Sequence, residues 1–454
     1  MADKLHELWV WMNGERIGTW QRGRTGTHRF TYEPSWLQSP RVRPLSLSMP
    51  ITPDRTVTGA LVEHYFDNLL PDDDRIRRRI ATRFKTGSSE AFELLQAIGR
   101  DCVGAVQLLP PDTAPDGFDR VDSEPISDAD IERHLQVVVT DPGPGGQDDV
   151  DDFRISIAGA QEKTALLRVD GLWRRPLNAT PTTHILKLPL GLVGGRRLDL
   201  THSIQNEWLC AQFLKGLGLP VATTEMARFG DQSVLVVERF DRAWSRRADG
   251  QPWIARLPQE DFCQVMGLPS QAKYEASGGP RMKQCTQVLL GSQAAQADVT
   301  HFLCTQLAFW LLAATEGHAK NFSVFLLPNG RYRMTPLYDV MSLWPVIGKG
   351  QSHVPWPVAK LAMAMRSKSA RCTLQSILPR HWQATASKAG VAGVWEAMLS
   401  MVDLVEPALT ALQARLPADF PARTAEAVFE GVRTQVKRWQ QGLNAHLNAV
   451  DAGH

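Results

Sequence analysis

The residues best suited to chemistry are an acid, an amide and a second acid that follow an apolar, helix-like segment at 310–314. Glu316 stands five residues before Asn321, and Asp339 comes eighteen residues after that asparagine, beyond a strand-like stretch. A carboxylate at the first position can orient an attacking hydroxyl and accept its proton. An amide oxygen and a second carboxylate can hold Mg²⁺ against phosphates. This order of residue types predicts a kinase catalytic loop followed by a metal-binding aspartate.

A lysine within an apolar segment is the second candidate. Lys187 lies in a strand-like alternation at 184–189, and a buried lysine is costly unless a carboxylate or a phosphate accompanies it. Glu207 opens a helical pattern further along the chain and could be that partner. Kinases use such a strand lysine, held by a helix glutamate, to grip ATP phosphates. By itself, Lys187 also fits a surface lysine whose stem lies along the apolar surface.

Two further segments agree with ATP binding. Residues 156–163 place small residues between strand-like segments, and the backbone N–H groups of such a turn could approach phosphate oxygens, although the Walker A pattern is not met. Residues 234–241 form an apolar strand with a polar end, where a kinase has its adenine-binding hinge. Alone, the first segment also fits a hairpin turn and the second a core strand. Together with Lys187 and the catalytic loop, they occur in the order expected for a kinase.

The N-terminal residues predict a β-rich region. Strand-like segments lie at 8–12, 29–32 and 45–50. Asn13-Gly14 supplies the positive φ angles of a tight hairpin turn. A helix is predicted over 58–70, and another after the acidic run 72–74, whose charges suit a helix N-terminus. The basic run 75–79 is interpreted as a solvated helix face, with phosphate or nucleic-acid contact as the alternative.

Polar stretches rich in proline, glycine and aspartate at 110–127 and 141–147 indicate a domain boundary. Strands alternate with one helix from 153 to 240, and helices dominate beyond 258, except near 323–335. The predicted organisation is an N-terminal β-rich subdomain at 1–110, a linker and loop at 111–150, an ATP-binding core at 151–256 with its hinge near 238–241, and a helical lobe at 257–454 with the catalytic loop at 315–323.

The composition is that of an ordinary globular protein, with 43% apolar and 22% charged residues and a net charge of +2. The N-terminus lacks a secretory pattern, and no window approaches the roughly 18 apolar residues of a membrane span. The six cysteines are scattered without a C-x-x-C pair, which argues against a zinc site or a disulfide framework. These features predict a protein of the reducing cytoplasm with no membrane partner.

Several segments resemble the HipA family of toxin serine/threonine-protein kinases. The similar segments are 156–165, 181–184 with Lys187, 257–261, 317–323 and 416–421. The resemblance implies an α+β, two-lobed protein-kinase-like fold with an N-terminal β-rich subdomain and a mainly helical C-terminal lobe. It also implies that ATP and Mg²⁺ are the cofactors.

For function, the resemblance implies phosphorylation of a serine in glutamyl-tRNA synthetase, or in some relatives another aminoacyl-tRNA synthetase. Uncharged tRNA then accumulates, and the stringent response leads to dormancy and persistence. A small HipB-like helix-turn-helix antitoxin is expected to bind the chain and carry it to operator DNA as a co-repressor. The implied location is the bacterial cytoplasm, with nucleoid association in that complex. Autophosphorylation is implied at Ser156, where the added charge of about −1.5 to −2 would repel ATP phosphates and eject the loop.

The resemblance also assigns roles to individual residues. The expected ATP-binding residues are Ala158, Gly159, Ala160, Gln161, Glu162, Lys163, Lys187, Glu238, Arg239, Phe240, His318, Lys320 and Tyr338. Asn321 and Asp339 are expected to bind Mg²⁺, and Glu316 to be the catalytic carboxylate.

Glu316 departs from the family pattern, which has aspartate at this position. Glutamate keeps the charge but reaches one methylene further, and a misplacement of about 1 Å can cost on the order of 100-fold in rate. The glutamate is either a natural variant or a change made to silence the enzyme, and nucleotide binding should survive in both cases. The alternative function is therefore a catalytically impaired kinase fold that acts as an antitoxin-bound co-repressor. A small-molecule kinase of the aminoglycoside type is disfavoured by the match at 156–163.

A basic segment offers a DNA-facing surface. Residues 349–388 contain seven lysines and arginines and no acid, and one-signed stretches of this kind can neutralise phosphates. Arg380 and Lys388 are the expected contacts with the DNA backbone. A solvated helical face is the alternative interpretation.

Overall fold

The computed structural model of the chain describes residues 6–139, 157–159, 161–366 and 369–451. These residues form two compact units. The first contains the chain up to Leu188 together with Ala227–Ala272 and Ser323–Tyr332, and the second contains Pro189–Met226, Lys273–Phe322 and the chain from Arg333 onward. Within the described ranges, no helix is long and apolar enough to cross a bilayer.

The first unit begins with a five-stranded antiparallel sheet of order β4-β3-β2-β1-β5. Its strands are β1 (His6–Met12), β2 (Glu15–Arg22), β3 (His28–Tyr32), β4 (Thr56–Thr58) and β5 (Val106–Leu109). The predicted hairpin at Asn13-Gly14 is confirmed, with φ angles of 46° and 80° that match a two-residue turn between twisted strands. The strand over 29–32 is confirmed as β3.

Helices α1 (Pro34–Leu37), α2 (Ala60–Asp67) and α4 (Ala91–Ile98) pack on this sheet, and α3 (Asp74–Arg83) packs against α4. The core forms where Trp20 of β2 stacks on Phe66 of α2, with ring centroids 4.0 Å apart. Asp73 caps α3 by accepting hydrogen bonds from two backbone N–H groups, as the acidic run predicted. The basic face of α3 is not simply solvated, because Arg77 is buried against Asp67 and Arg79 pairs with Glu162.

The strand predicted over 45–50 is wrong. This segment makes turns, with a single bridge between Ser46 and Met49. The reason is local bonding: the Tyr32 hydroxyl accepts from Leu45 N at 2.8 Å and donates to the Met49 carbonyl at 2.5 Å. A buried tyrosine thus satisfies backbone groups that a neighbouring strand would otherwise satisfy.

A second sheet in the first unit has the order β12-β13-β9-β7-β8-β6. Its strands are β6 (Ser123–Pro125), β7 (Lys163–Val169), β8 (Leu172–Pro176), β9 (His184–Lys187), β12 (Thr224–Phe229) and β13 (Gln232–Glu238), and the chain passes between the two units within β12. Helix α5 (Asp128–Val139) packs on it through Ile131 and Leu135. The stretch 111–150, expected to be linker and loop, therefore contains β6 and α5 in its described part.

The first unit also contains a hairpin of β14 (Arg242–Arg246) with β15 (Pro252–Arg256), a pair of β16 (Gln259–Asp261) with β17 (Ser323–Leu326), and α7 (Phe262–Val265). The next strand, β18 (Tyr332–Met334), leads the chain from the first unit into the second.

The second unit is mainly helical. Its elements are β10 (Gly191–Val193), β11 (Leu198–Leu200), α6 (Ser203–Gly216), α8 (Met282–Leu290), α9 (Ala295–Leu312), β19 (Lys360–Arg366), β20 (Ala370–Thr373), α10 (Pro379–Ala386), α11 (Val394–Asp403), α12 (Val405–Gln413) and α13 (Ala422–Asp451). Helix α9 is buried over most of its length from Asp298 onward, where α8, α11 and α13 pack against it. Trp310 packs there near Trp382 and Trp439.

The β19–β20 hairpin corrects the expectation of helices beyond 335. Alternate residues Leu361, Met363 and Met365 are buried, and this period of two is typical of a strand. The strand contains none of the β-branched and aromatic residues that are typical of strands, which hid the pattern.

Candidate active site

The predicted catalytic loop follows the C-terminus of α9 in the second unit. Ala313 closes the helix with a left-handed φ of 49°, and a polar loop leads to the short helical turn Ala319–Asn321. Gly317 is required by packing, because a Cβ atom built there would lie 2.3 Å from the ring of Phe309. The buried helix therefore fixes the path of the loop.

The three residues that the sequence singled out are linked through the amide of Asn321. Its Nδ2 donates to the backbone carbonyl of Glu316 at 2.8 Å and to that of Asp339 at 3.4 Å. Since both amide N–H groups face carbonyls, the Oδ1 atom is the one presented as a ligand. An amide oxygen beside a carboxylate suits Mg²⁺, which takes its other ligands from phosphates and water.

Asp339 has a φ angle of 58°, a conformation that costs energy for a residue other than glycine. The preceding residues are anchored on both sides. Leu337 exchanges backbone hydrogen bonds with Pro220 and Ala222, at 2.9 and 2.8 Å, and the Tyr338 hydroxyl donates to the carbonyl of Lys320 at 2.8 Å. Tyr338, expected to bind ATP, thus also ties the segment before Asp339 to the loop that contains Asn321.

Residues around the Glu316 carboxylate include one that the sequence did not indicate. His318 is buried, and its Nε2 lies 3.8 Å from Glu316 Oε2. Tyr274 donates a hydrogen bond from its hydroxyl to the same oxygen and packs edge-on against the His318 ring. Tyr274 precedes Glu316 by 42 residues and belongs to no periodic pattern, so no signal in the sequence could have found it.

In the first unit, Lys163 and Lys187 are directly opposite in the antiparallel pairing of β7 with β9. Residues in this relation project from the same face of a sheet, where like charges repel unless an anion or a partner compensates. Lys163 Nζ donates to the carbonyl of Ala158 at 2.8 Å. Gly159 has a φ of 114°, a backbone conformation that favours glycine over residues with a side chain.

The rest of the small-residue turn is held by the sheet and by α3. Gln161 donates through Nε2 to the carbonyl of Leu188 at 2.5 Å, and Leu188 N donates to the carbonyl of Glu162 at 3.1 Å. The Glu162 side chain pairs with Arg79, which gives it a structural role in addition to the expected one. Ser156 and Ala160 lie outside the described residues.

A cavity of about 90 Å³ lies behind this turn. Arg79 and Arg83 of α3, His134 of α5 and Lys163 contribute polar side chains to its lining. Desolvation, reinforced by the charge of Arg83, lowers the pKa of His134 to about 4. Its Nε2 lies 2.7 Å from the hydroxyl of Thr164. The neutral imidazole therefore packs beside the turn without adding charge.

The predicted hinge follows β13. Glu238 is exposed at the end of the strand, and Phe240 packs edge-on against Phe325. The side chain of Arg239 is engaged within the protein. Each of its three nitrogens donates, to Asp241, Asp101, Thr182 and the carbonyl of Cys102, and its backbone N–H donates to the carbonyl of Thr183 at 2.9 Å. A nucleotide contact by Arg239 stays a prediction.

Arg239 belongs to a buried charge cluster, defined here as Asp101, Arg239, Asp241, Arg242 and Arg256. Burial alone would raise the pKa of Asp101, but the charges of Arg242, Arg239 and Arg256 hold it well below its ordinary value. Asp241 also accepts a hydrogen bond from Gly104 N at 2.7 Å. The cluster fastens the residues after α4 to the hinge and to β15. The sequence did not predict this cluster, because Asp101 lies far along the chain from the arginines that it contacts.

Lys187 and Glu207 are both buried, and they belong to different units. Their pairing therefore stays a prediction. Within the second unit, the neighbouring Asn206 exchanges hydrogen bonds of 2.7 and 2.9 Å with the backbone of Ser342. The helix that carries Glu207 is thus tied to the segment just beyond Asp339.

The basic segment is only partly helical. Lys360, Arg366 and Arg371 lie on the β19–β20 hairpin, which corrects the interpretation as one helical face. Arg380 is exposed in the first turn of α10, and Lys388 is exposed just after that helix. Burial, together with the charges of Arg371 and Arg380, lowers the pKa of His381, so positive charges converge at the start of α10.

Comparison with known proteins agrees with this architecture. Residues 155–430 match the family model of the HipA-like C-terminal domain, and residues 8–109 match that of the HipA N-terminal domain. The Sinorhizobium fredii protein Y4mE is 34% identical over 388 residues, which cover 84% of this chain and 85% of that protein. The serine/threonine-protein kinase toxin HipA of Shewanella oneidensis is 27% identical over 327 residues, 69% of each chain.

A solved structure of the Shewanella oneidensis HipA, HipB and operator DNA complex contains a chain of the same fold. Its TM-score to this chain is 0.76 at 22% identity, and the match covers 96% of this chain and 98% of that one. The expected kinase-like α+β fold is therefore confirmed. With both of its domain models matched, the chain belongs to the HipA family of toxin kinases.

Proposed function

We propose that the chain transfers the γ-phosphoryl group of ATP to a serine of an aminoacyl-tRNA synthetase, with glutamyl-tRNA synthetase as the first candidate. The observation that carries the proposal is the Asn321 amide, which joins Glu316 and Asp339 in one hydrogen-bonded loop. Phosphoryl transfer needs little covalent chemistry from the protein. Positioning of an acceptor carboxylate and of metal ligands is the main requirement, and the loop supplies both.

For nucleotide binding, the paired lysines of β7 and β9 supply two positive charges on one face of the sheet. Lys163 and Lys187 would bind ATP phosphates, with Gly159 allowing the backbone to come close. Glu238 and Phe240 would flank the adenine. His318, Lys320 and Tyr338 would line the nucleotide site. Glu207 would hold Lys187 in place.

Asn321 Oδ1 and the Asp339 carboxylate would hold Mg²⁺, which neutralises phosphate charge when bound. Glu316 would orient the serine hydroxyl of the substrate and accept its proton. Its side chain is 52% exposed, which leaves it accessible to a protein acceptor. General base assistance of this kind contributes typically about 10²–10⁴-fold to the rate.

We further propose that Ser156 is the autophosphorylation site and that its phosphorylation switches the kinase off. Substrate phosphorylation would stall translation and produce dormancy. A HipB-like antitoxin would bind the chain in the bacterial cytoplasm and bring it to operator DNA. Arg380 and Lys388, which are both exposed, would then contact the DNA backbone. Arg380 lies in the first turn of α10, where the helix dipole does not stabilise a cation, so a phosphate would be a more favourable partner.

The second candidate function is a co-repressor with impaired catalysis, which the glutamate at position 316 favours. A phosphate-transfer assay separates the two functions. It measures transfer from labelled ATP, with Mg²⁺, to purified synthetases in the presence of their tRNAs. The chains compared are the wild type, Glu316→Gln and Glu316→Asp. The kinase proposal expects transfer by the wild type and a loss of about 10²-fold or more in Glu316→Gln. Absence of transfer by the wild type, with transfer by Glu316→Asp, would favour the co-repressor.

A further inference from the structure

Tyr274 touches two residues of the catalytic loop from outside it. Its hydroxyl donates to Glu316 Oε2, and its ring meets the His318 ring edge-on, with centroids 4.8 Å apart and an interplanar angle of 90°. From this geometry we propose that Tyr274 is a positioning residue for the catalytic carboxylate of Glu316. The inference rests on the proposed phosphoryl transfer and adds the group that makes a glutamate usable there.

Glu316 needs such support because its carboxylate ends an exposed side chain. A glutamate has one more rotatable bond than an aspartate, and the 52% exposure of this one leaves few packing contacts to select a rotamer. The Tyr274 hydroxyl selects one by holding Oε2. The other oxygen, Oε1, is then directed to the hydroxyl of the substrate, and errors of about 1 Å in such a position cost on the order of 100-fold.

Tyr274 is itself anchored by the residue that follows it. Glu275 accepts a hydrogen bond from Ala364 N at 2.7 Å through Oε2, and its Oε1 pairs with Arg366. Both partners belong to β19. The residue next to the tyrosine is therefore held by a strand outside the catalytic loop. We expect Tyr274 to keep its position when the side chain at 316 changes.

The contact with Tyr274 depends on the length of the side chain at position 316. An aspartate at position 316 would withdraw the carboxylate by one methylene, about 1.5 Å, away from the Tyr274 hydroxyl. The hydroxyl should therefore matter when residue 316 is glutamate and lose its effect when it is aspartate. A double-mutant cycle measures this dependence directly.

The test compares the wild type, Tyr274→Phe, Glu316→Asp and the double variant. Initial rates of phosphate transfer from γ-labelled ATP are measured with glutamyl-tRNA synthetase and with the chain itself as acceptors. We expect Tyr274→Phe to lower kcat about 10-fold and to change the KM for ATP less than about 2-fold. In the Glu316→Asp background, the same change should alter kcat less than about 2-fold. Tyr332→Phe, a loss of a hydroxyl elsewhere, is the matched control and should leave kcat unchanged.

The possible failures differ in what they overturn. Equal losses of kcat in both backgrounds, or a rise in the KM for ATP that accounts for the loss, would show a structural role and overturn the positioning role. A wild type that transfers phosphate and is unaffected by Tyr274→Phe would overturn it as well. A wild type that transfers nothing to either acceptor would defeat the proposed function and this inference with it. If Glu316→Asp is inactive, the effects of Tyr274→Phe in the wild-type background decide between the two roles. A lower kcat with little change in the KM for ATP supports positioning, and a raised KM for ATP that accounts for the loss overturns it.

Discussion

Lys163 and Lys187 are directly opposite each other in the antiparallel pair of β7 and β9, so their side chains project from the same face of the sheet. Lys187 is only 6% exposed, although lysine is rarely buried without a compensating charge. The pair forms a positively charged position beside the turn at Gly159. This is the position that the proposed function assigns to the phosphates of ATP.

Replacing Lys187 should weaken ATP binding without unfolding the chain. Hydrogen bonds to charged groups contribute roughly 1.5–3 kcal/mol, so Lys187→Met should weaken ATP binding about 10- to 100-fold. The measurement is the rise in Tm that Mg-ATP causes in each chain. Lys437→Met, on the exposed side of α13, is the matched control. Equal ATP-induced rises in both variants would contradict the assignment of Lys187.

The buried charge cluster should be one of the most sensitive points for stability. Asp101→Asn leaves arginines of the cluster without one of their two carboxylates, and breaking a buried pair in this way typically costs about 3–5 kcal/mol. Urea unfolding of the variant measures the loss. Asp122→Asn is the control, because its partner Arg120 is 54% exposed and such surface pairs contribute about 0–1 kcal/mol. Similar losses in both variants would refute this role for the cluster.

The stability that this cluster contributes should decrease at acidic pH. The pKa of Asp101 is held well below its ordinary value, so the folded state keeps the carboxylate charged where the unfolded chain would bind a proton. The stabilisation is therefore complete above the ordinary aspartate pKa of about 4 and is lost as pH falls below it toward the folded-state value. Unfolding free energies between pH 6 and pH 3 should fall more steeply for the wild type than for Asp101→Asn. Parallel curves would count against the prediction.

Glu260 predicts a pH dependence of the opposite sign. Burial raises its pKa to about 8, and its Oε1 accepts a hydrogen bond from Leu47 N at 2.8 Å. Because the folded chain keeps this proton after the unfolded chain has lost it, the stabilisation is complete below about pH 4.5. It decreases as pH rises to about 8. Glu260→Gln should flatten the fall in unfolding free energy between pH 6 and pH 9, measured with urea. If the unfolding free energy falls as steeply in the variant as in the wild type, the raised pKa of Glu260 is not the cause of the fall.

Arg380 should contribute to DNA binding through charge alone. In the complex with a HipB-like antitoxin, Arg380→Ala should weaken binding to operator DNA and to non-operator DNA by similar factors. It should also reduce the slope of log affinity against log salt concentration by about 1. Fluorescence anisotropy at several salt concentrations measures both quantities. Arg415→Ala, also exposed, is the matched control. Loss of affinity for the operator alone would indicate a base contact and contradict the proposal.

The sequence by itself determined the features that depend on neighbouring residues. Asn13-Gly14 specifies its hairpin because positive φ angles are a local property. The acidic run before α3 caps that helix for the same kind of reason. The order of Glu316, Asn321 and Asp339 could be recognised because the first two lie on one loop and the third follows the strand pair after it.

Only the tertiary structure decided the contacts between distant parts of the chain. Tyr274 reaches Glu316 across 42 residues, and Asp101 reaches Arg239 across 138, and neither contact leaves a periodic signature in the sequence. Tyr32 bonds the backbone at 45–49 and so replaces a strand that the local pattern favoured. The physical reason is the same in each case. The folded chain satisfies buried polar groups with whichever partner packing brings within hydrogen-bond distance, and packing is a property of the whole unit.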